Sequence, residues 1–316
     1  MLLELAVGDA YGASFEYTPP PFIRQRNTLA GYVQHPTHRD IRPGMYTDDT
    51  QMSIAVAEWL LDGAPPLDAP PASAPADPPT GVPGTSAAEG PYTREDLAHR
   101  FVKTYKRDPR AGYAGGFRSV LEHVWNGEEL LGTLRPGSDK SGAAMRAGVL
   151  GLLPELDRVD ELAVLQAKIT HDSPGGLAAA RGAAYAVHYC RYGIGSVVRL
   201  PQWLAEHVRV PDPHRYGRWT EPWRGKVGSP GMHSARAAVT ALAKHRTLSG
   251  LLRECTAYTG DVDTVATIAL AAASASAEYR QDLPQVLVDG LEDGEYGRAY
   301  LEALDARLDA QWGLRP

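Results

Sequence analysis

Gly260-Asp261-Val262-Asp263-Thr264-Val265-Ala266-Thr267-Ile268-Ala269-Leu270-Ala271-Ala272-Ala273 sets two carboxylates and a hydroxyl before a run of small apolar side chains. Val265, Ile268, Ala269 and Ala272 recur at three- and four-residue steps, the period of a helix face, and their small size permits close helix packing. Thr47-Asp48-Asp49-Thr50 has the same construction: it opens a run to Leu61 in which Met52, Val56, Trp59 and Leu60 share a face. Four aspartates and several threonines therefore stand at the starts of two apolar helices. Each segment alone reads as an N-cap, because Asp and Thr satisfy free backbone N–H groups and suit the helix dipole. Taken together they read as ligands for hard divalent cations, which prefer carboxylate and hydroxyl oxygens. Four carboxylates brought together repel one another severely unless cations neutralise them.

Outward from these segments the chain reads as helix. Leu2, Leu5, Ala6, Asp9, Ala13 and Glu16 keep a helical step, so two acids share a stripe with apolar groups. Residues 17–46 are polar, proline-rich and irregular. Residues 63–92 are dominated by Pro, Ala, Gly and Ser and are expected to be a flexible surface insertion. Helical patterns cover 94–106, 116–125, 141–153, 158–170 and 174–191, then 234–258, 262–279, 283–291 and 295–311. A loop-rich span at 208–233 carries Tyr216, Trp219 and Trp223, which either anchor the excursion or stack on a base. Ala, Leu, Glu and Arg dominate and alternating β-branched runs are scarce, so the fold class is all-α. The helices flanking the insertion would each be incomplete alone, so residues 1–316 are expected to form a single compact multi-helix domain.

Hydrophobic residues make up 43% of the 316 residues, enough for a sizeable core. A net charge of −6 argues against wrapping nucleic acid by bulk charge. Cys190 and Cys255 are the only cysteines, and neither lies in a CxxC pair, so a reducing, cytoplasmic setting is the simpler reading. The first nine residues lack a basic leader region, and no apolar stretch approaches the ~18 residues of a membrane span. A monomer is expected.

Three segments, in order, carry a resemblance: Gly8-Asp9-Ala10-Tyr11-Gly12, Thr47-Asp48-Asp49-Thr50 and Gly260-Asp261-Val262-Asp263-Thr264 resemble the signature segments of the ADP-ribosylglycohydrolase family. Ser141-Gly142-Ala143-Ala144-Met145-Arg146 looks like its substrate loop and Thr170-His171 like its Thr-His pair. The resemblance implies an all-α fold with a central dimetal cleft holding two magnesium or manganese ions. Thr47, Asp48, Asp49, Asp261, Asp263 and Thr264 match the ligand positions. Glu16 matches a catalytic glutamate of some members, and Asp49 would assist through a bridging carboxylate. Asp9, Gly115, Ser138, Asp139, Lys140, Ser141, Gly142 and His171 are placed with the substrate, the 138–142 loop cradling a diphosphate at a helix start. Two departures stand out. Thr259 and Val262 replace a usual Gly and Thr, and Lys140-Ser141 stand where Gly-Asn is common.

The implied reaction is hydrolysis of the bond between ADP-ribose and an acceptor, which is a protein side chain, a nucleic-acid base or a small molecule. Two alternatives stay open: a binuclear nucleotide or phosphoester hydrolase, and a non-catalytic ADP-ribose-binding relative. Both hydrolase readings need residues near 48 and near 262 to meet.

Overall fold

A segment apolar on every side is satisfied only by burial, and the run after Gly260 is buried from Val262 through Ala273. The computed structural model describes residues 1–64 and 91–313. Among these, the helices are α1 (Leu2–Ala13), α2 (Pro20–Arg26), α3 (Asp48–Asp62), α4 (Arg94–Arg107), α5 (Gly115–His123), α6 (Gly127–Thr133), α7 (Gly142–Met145) and α8 (Leu156–Thr170). They continue with α9 (Pro174–Arg191), α10 (Leu200–His207), α11 (Pro213–Tyr216), α12 (Gly231–Lys244), α13 (Leu248–Ala257), α14 (Val262–Ser274), α15 (Gln285–Gly290) and α16 (Arg298–Gln311). Two short 3₁₀ turns, Ala147–Leu152 and Val197–Arg199, complete the set. The described residues contain isolated β-bridges and no strand, as an all-α class requires. Most of the expected insertion, residues 65–90, lies outside the described residues. No described helix is long and apolar enough to cross a membrane.

Helix α14 is the axis. Helix α1 lies along it, and α13, α12 and α9 pack around the remainder. The contact with α1 is backbone against backbone. A Cβ on Gly8 would fall 2.9 Å from the Ala266 carbonyl oxygen, and one on Gly12 would fall 2.4 Å from Asp263 Cα. Glycine one helical turn apart is what allows this approach. It brings Asp9 of α1 to the same end of the bundle as the start of α14.

Several boundaries differ from the sequence pattern, each for an identifiable reason. Helix α1 stops at Ala13 and the chain turns, Phe15 N–H bonding to the Gly12 carbonyl at 2.8 Å, so Glu16 reaches its place from a turn and not from the helix stripe. Pro20 and Pro21 start α2 inside the stretch expected to be irregular, because proline at the first helical positions sacrifices no hydrogen bond. The 234–258 run is two helices. Leu248 N–H bonds to the Arg280 carbonyl (3.1 Å) and Arg280 N–H to the Arg246 carbonyl (2.9 Å), which extends the chain between them. Thr247 then caps α13 through Gly250 N–H at 3.1 Å.

Replacing Gly12 with Val should lower unfolding free energy by about 3 kcal/mol or more, because the added atoms meet main chain that cannot rotate away. Urea denaturation checks this; a loss below about 1 kcal/mol would show that the α1–α14 approach is looser than described.

Candidate active site

The Asp9 side chain is wholly buried and accepts four hydrogen bonds, all from the first residues of α3. Thr47 gives its backbone N–H at 2.9 Å and its hydroxyl at 2.7 Å; Thr50 gives its backbone N–H at 3.0 Å and its hydroxyl at 2.6 Å. Asp9, expected to touch substrate, is thus a clamp between helices. The arrangement also resolves the cap question. Neither Thr47 nor Asp261 makes a side-chain cap bond to its helix, since Asp9 satisfies α3 from outside. Asp48 and Asp49 are released from capping and face the interior cavity.

At the start of α14, Thr259 (φ 67°) and Gly260 (φ 89°) both take left-handed backbone. A Cβ on Gly260 would lie 1.9 Å from the Val227 carbonyl oxygen. Val227 pairs on both sides of this turn: its N–H bonds to the Thr259 carbonyl at 2.9 Å, and its carbonyl accepts from Asp261 N–H at 3.2 Å. Tyr17 N–H holds the Gly260 carbonyl at 2.9 Å, which fastens the Glu16 turn to the same loop. The replacement of a usual glycine by Thr259 thus falls at a position where a side chain costs roughly 1 kcal/mol. The turn aims Asp261 and Asp263 at Glu16. One oxygen of each of these three carboxylates lies within 4.8 Å of the others.

Six acids, Asp9, Glu16, Asp48, Asp49, Asp261 and Asp263, therefore share one end of the bundle. No Lys or Arg among the described residues forms an ion pair with any of them. Burial first, then the neighbouring negative charges, holds Asp48, Asp49 and Asp263 well above the usual carboxylate range. Burial, then Asp261 and Asp9, pushes Glu16 up to about 8. Ser234 donates to Asp261 Oδ2 at 2.9 Å, whereas Asp49 Oδ2 and Asp263 Oδ1 are buried without a hydrogen-bond partner among the described residues. Buried carboxylate oxygens left bare, in a set made only of oxygen donors, suit a hard divalent cation. Gly112 (φ 101°) contributes by its lack of a side chain: a Cβ there would sit 2.1 Å from Asp48 Oδ1.

These acids line one side of a cavity of about 630 Å³, with Glu16, Asp48, Asp49, Asp261, Asp263 and Thr264 on its wall. Ser138, Lys140, Ser141, Gly142 and His171 also line it, as do Met145, Arg146 and Thr170. Thr47 is buried and gives its hydroxyl proton to Asp9. The Asp139 carboxylate accepts from Arg215 (2.5 Å) and Tyr216 (2.8 Å) and holds the 212–216 segment. Gly115 lies between Ala114 and Gly116, which line the cavity together with Phe117. The loop aromatics are anchors. Trp219 is buried with its indole N–H on the Val208 carbonyl at 2.8 Å, and Arg236 binds the carbonyls of Tyr216, Arg218 and Glu221. A wider, open groove of about 830 Å³ beside Ser119–Thr133 holds none of the six acids.

At this cavity the sequence gives Arg146 only as the end of the loop-like segment 141–146, with no role of its own, and does not single out Tyr17. A lone arginine inside the apolar run 143–153 is the signal that points to the first. Tyr17, half exposed at φ 50°, follows Glu16 with nothing in the sequence to mark it.

A family model for ADP-ribosylglycohydrolase matches residues 1–315. Over 211 residues the chain is 28% identical to ADP-ribosylhydrolase ARH3 of Homo sapiens, a match covering 62% of this chain and 51% of that protein. The Mus musculus ADP-ribosylhydrolase ARH3 is 27% identical over 220 residues, covering 64% and 51%. The match thus spans about half the length of these relatives. ADP-ribosyl-[dinitrogen reductase] glycohydrolase of Rhodospirillum rubrum is 26% identical over 282 residues, covering 89% of this chain and 84% of that one. In fold, the chain is similar to a solved structure titled "ADP-ribosylglycohydrolase-related protein complex", with a TM-score of 0.69 at 22% identity, covering 97% and 94% of the two chains. With the family model matching from residue 1 to 315, the chain belongs to the ADP-ribosylglycohydrolase family.

Proposed function

We propose that this chain, acting as one domain, hydrolyses the glycosidic bond between ADP-ribose and an acceptor. The observation that carries the reading is the meeting of Asp48 and Asp49 with Asp261, Asp263 and Glu16 on a cavity of about 630 Å³. That size suits a dinucleotide-like ligand. The relatives named for ADP-ribosyl hydrolysis support the bond type. The acceptor is a protein side chain, a nucleic-acid base or a small molecule, which share the same ADP-ribose half. The free, buried thiols of Cys190 and Cys255 fit a reducing cytoplasm.

Thr47, Asp48, Asp49, Asp261, Asp263 and Thr264 would hold two magnesium or manganese ions, with Asp49 Oδ2 and Asp263 Oδ1 the unpartnered oxygens best suited. Such ions, when bound, neutralise the acidic wall and supply Lewis acidity toward water and ribose hydroxyls. The chain's own residues do the rest. Rupture of the bond at the ribose anomeric carbon builds positive charge on the sugar, and the acidic wall lies where it can stabilise that charge. Glu16 takes the proton of the attacking water as base and returns a proton as acid to the departing acceptor atom. Ser138, Lys140, Ser141 and Gly142 receive the diphosphate, and the fixed wall holds the ribose so that little orientation entropy remains to be lost.

A hydrolysis panel of arginine-, serine- and base-linked ADP-ribose, run with magnesium, manganese or chelator, tests the reading. Dinucleotides and sugar phosphates serve as phosphoester controls. Release of free ADP-ribose is expected, lost in chelator; cleavage of the controls alone would overturn the proposal. The double substitution Asp261→Asn with Asp263→Asn should abolish both turnover and stabilisation by the metals. In Glu16→Gln, kcat should fall by roughly 10²–10⁴-fold with ADP-ribose binding kept, and an unchanged kcat would remove Glu16 from the chemistry.

Metal-free protein should also show an inverted pH dependence. Carboxyls whose folded pKa is raised bind more protons folded than unfolded, so stability is fullest below the ordinary carboxylate value and is lost as pH rises toward about 8, the value for Glu16. In chelator, Tm should drop by several degrees between pH 5 and pH 8. Added magnesium should raise it far more at pH 8 than at pH 5. A flat metal-free profile would show that the acids are not buried together.

A further inference from the structure

Arg146 is a buried arginine with no carboxylate partner among the described residues. It is 1% exposed, and its guanidinium lies 4.5 Å from the centre of the Phe101 ring. Its hydrogen bonds go to neutral acceptors: Nε donates to Gln166 Oε1 at 2.7 Å, and Nη2 to the Gln166 carbonyl at 3.2 Å and to Thr170 Oγ1 at 2.7 Å. Gln166 is itself held, its Nε2 donating to the Ala143 carbonyl at 2.9 Å.

Thr170 is the last residue of α8. A threonine in a helix commonly returns its proton to the carbonyl four residues earlier. For Thr170 that carbonyl belongs to Gln166, and it already accepts from Arg146 in addition to its place in the helix ladder. A hydroxyl has one proton to give. With Arg146 donating to its oxygen, Thr170 directs that proton to its other neighbour, His171 Nδ1, at 2.6 Å. An Nδ1 that accepts carries no proton of its own, so in the neutral ring the proton is on Nε2.

That edge of the ring lies beside Gly142, which lines the ligand cavity together with His171. A Cβ on Gly142 would lie 2.9 Å from His171 Cε1 and 3.2 Å from Nε2, so the imidazole lies against the first residue of α7. Arg146, Thr170 and His171 all line the cavity. From this geometry we infer that Arg146 is a positioning residue which, through Thr170, locks His171 as a fixed Nε2–H donor to a ligand oxygen. Burial, then Arg146 and Lys140, keeps the ring neutral, its pKa lowered to about 3. His171 therefore binds and does not shuttle protons. The identity of the ligand rests on the function proposed above; the tautomer does not.

The test separates the two. Nitrogen-15 correlation spectra of the histidine rings, with His171→Asn for assignment, should show His171 wholly as the Nε2–H tautomer. Thr170→Val, which keeps shape and loses the hydroxyl, should give a tautomer mixture and weaken ADP-ribose binding by about tenfold in calorimetry with magnesium present. Thr170→Ser should restore both, and Arg146→Met should reproduce the Thr170→Val spectrum. An Nδ1–H ring in the unaltered protein, or Thr170→Val with unchanged tautomer and affinity, would overturn the inference. An intact Nε2–H signal, lost in Thr170→Val, in a protein that hydrolyses no ADP-ribosyl acceptor would instead sink the functional reading and leave the lock standing.

Discussion

One buried carboxylate organises this end of the molecule. Asp9 accepts from two backbone N–H groups and two hydroxyls of α3. Removing a carboxylate from water costs several kcal/mol, and it persists here because its lone pairs are filled by strong charge-assisted bonds. The clamp fixes where α3 begins relative to α1. Through the glycine contacts of Gly8 and Gly12 it also fixes where α3 begins relative to α14. Because Asp9 does the capping, the acids that follow Thr47 are free for other work.

What that freedom produces is a concentration of negative charge that the polypeptide does not neutralise. Asp48, Asp49, Asp261, Asp263 and Glu16 come from three separate segments, and each is held by a contact outside the cluster. Gly112 accommodates Asp48, Ser234 holds Asp261, and the Val227 bridge pins the turn before α14. The repulsion is tolerated because the surrounding backbone is over-determined, as is usual where strain serves a site. The left-handed Thr259 and Tyr17, each bonded into that bridge or to the Gly260 carbonyl, belong to the same set of constraints.

The facing wall is built differently. It has few charges and many neutral acceptors, and its order comes from Arg146, Gln166 and Thr170 satisfying one another out of water. A buried hydrogen-bonded network of this kind is rigid, since breaking any one bond leaves a polar group unpaired in a low dielectric. Asp139 extends the order outward by tying the loop to Arg215 and Tyr216.

Periodicity and residue chemistry in the chain were enough to establish the all-α class, the burial of the run after Gly260, and the oxygen-rich character of the segments at 47–50 and 261–264. These are local properties, written in the 3.6-residue repeat and in side-chain donor types. They also carried the family resemblance. Roles that depend on distant partners were not legible. The hydrogen bonds that Asp9 and Asp139 make to distant segments carry no local signal, and Glu16 left the helix stripe because α1 stops at Ala13. Helix α2 and the break between α12 and α13 were hidden for the same reason, since proline placement and the pairing of Leu248 with Arg280 act through geometry. Only the tertiary structure decided which carboxylates are spent on holding helices and which are left bare. A carboxylate's task is set by the donors that reach it, and for Asp9 and Asp139 those donors lie 38 to 77 residues away.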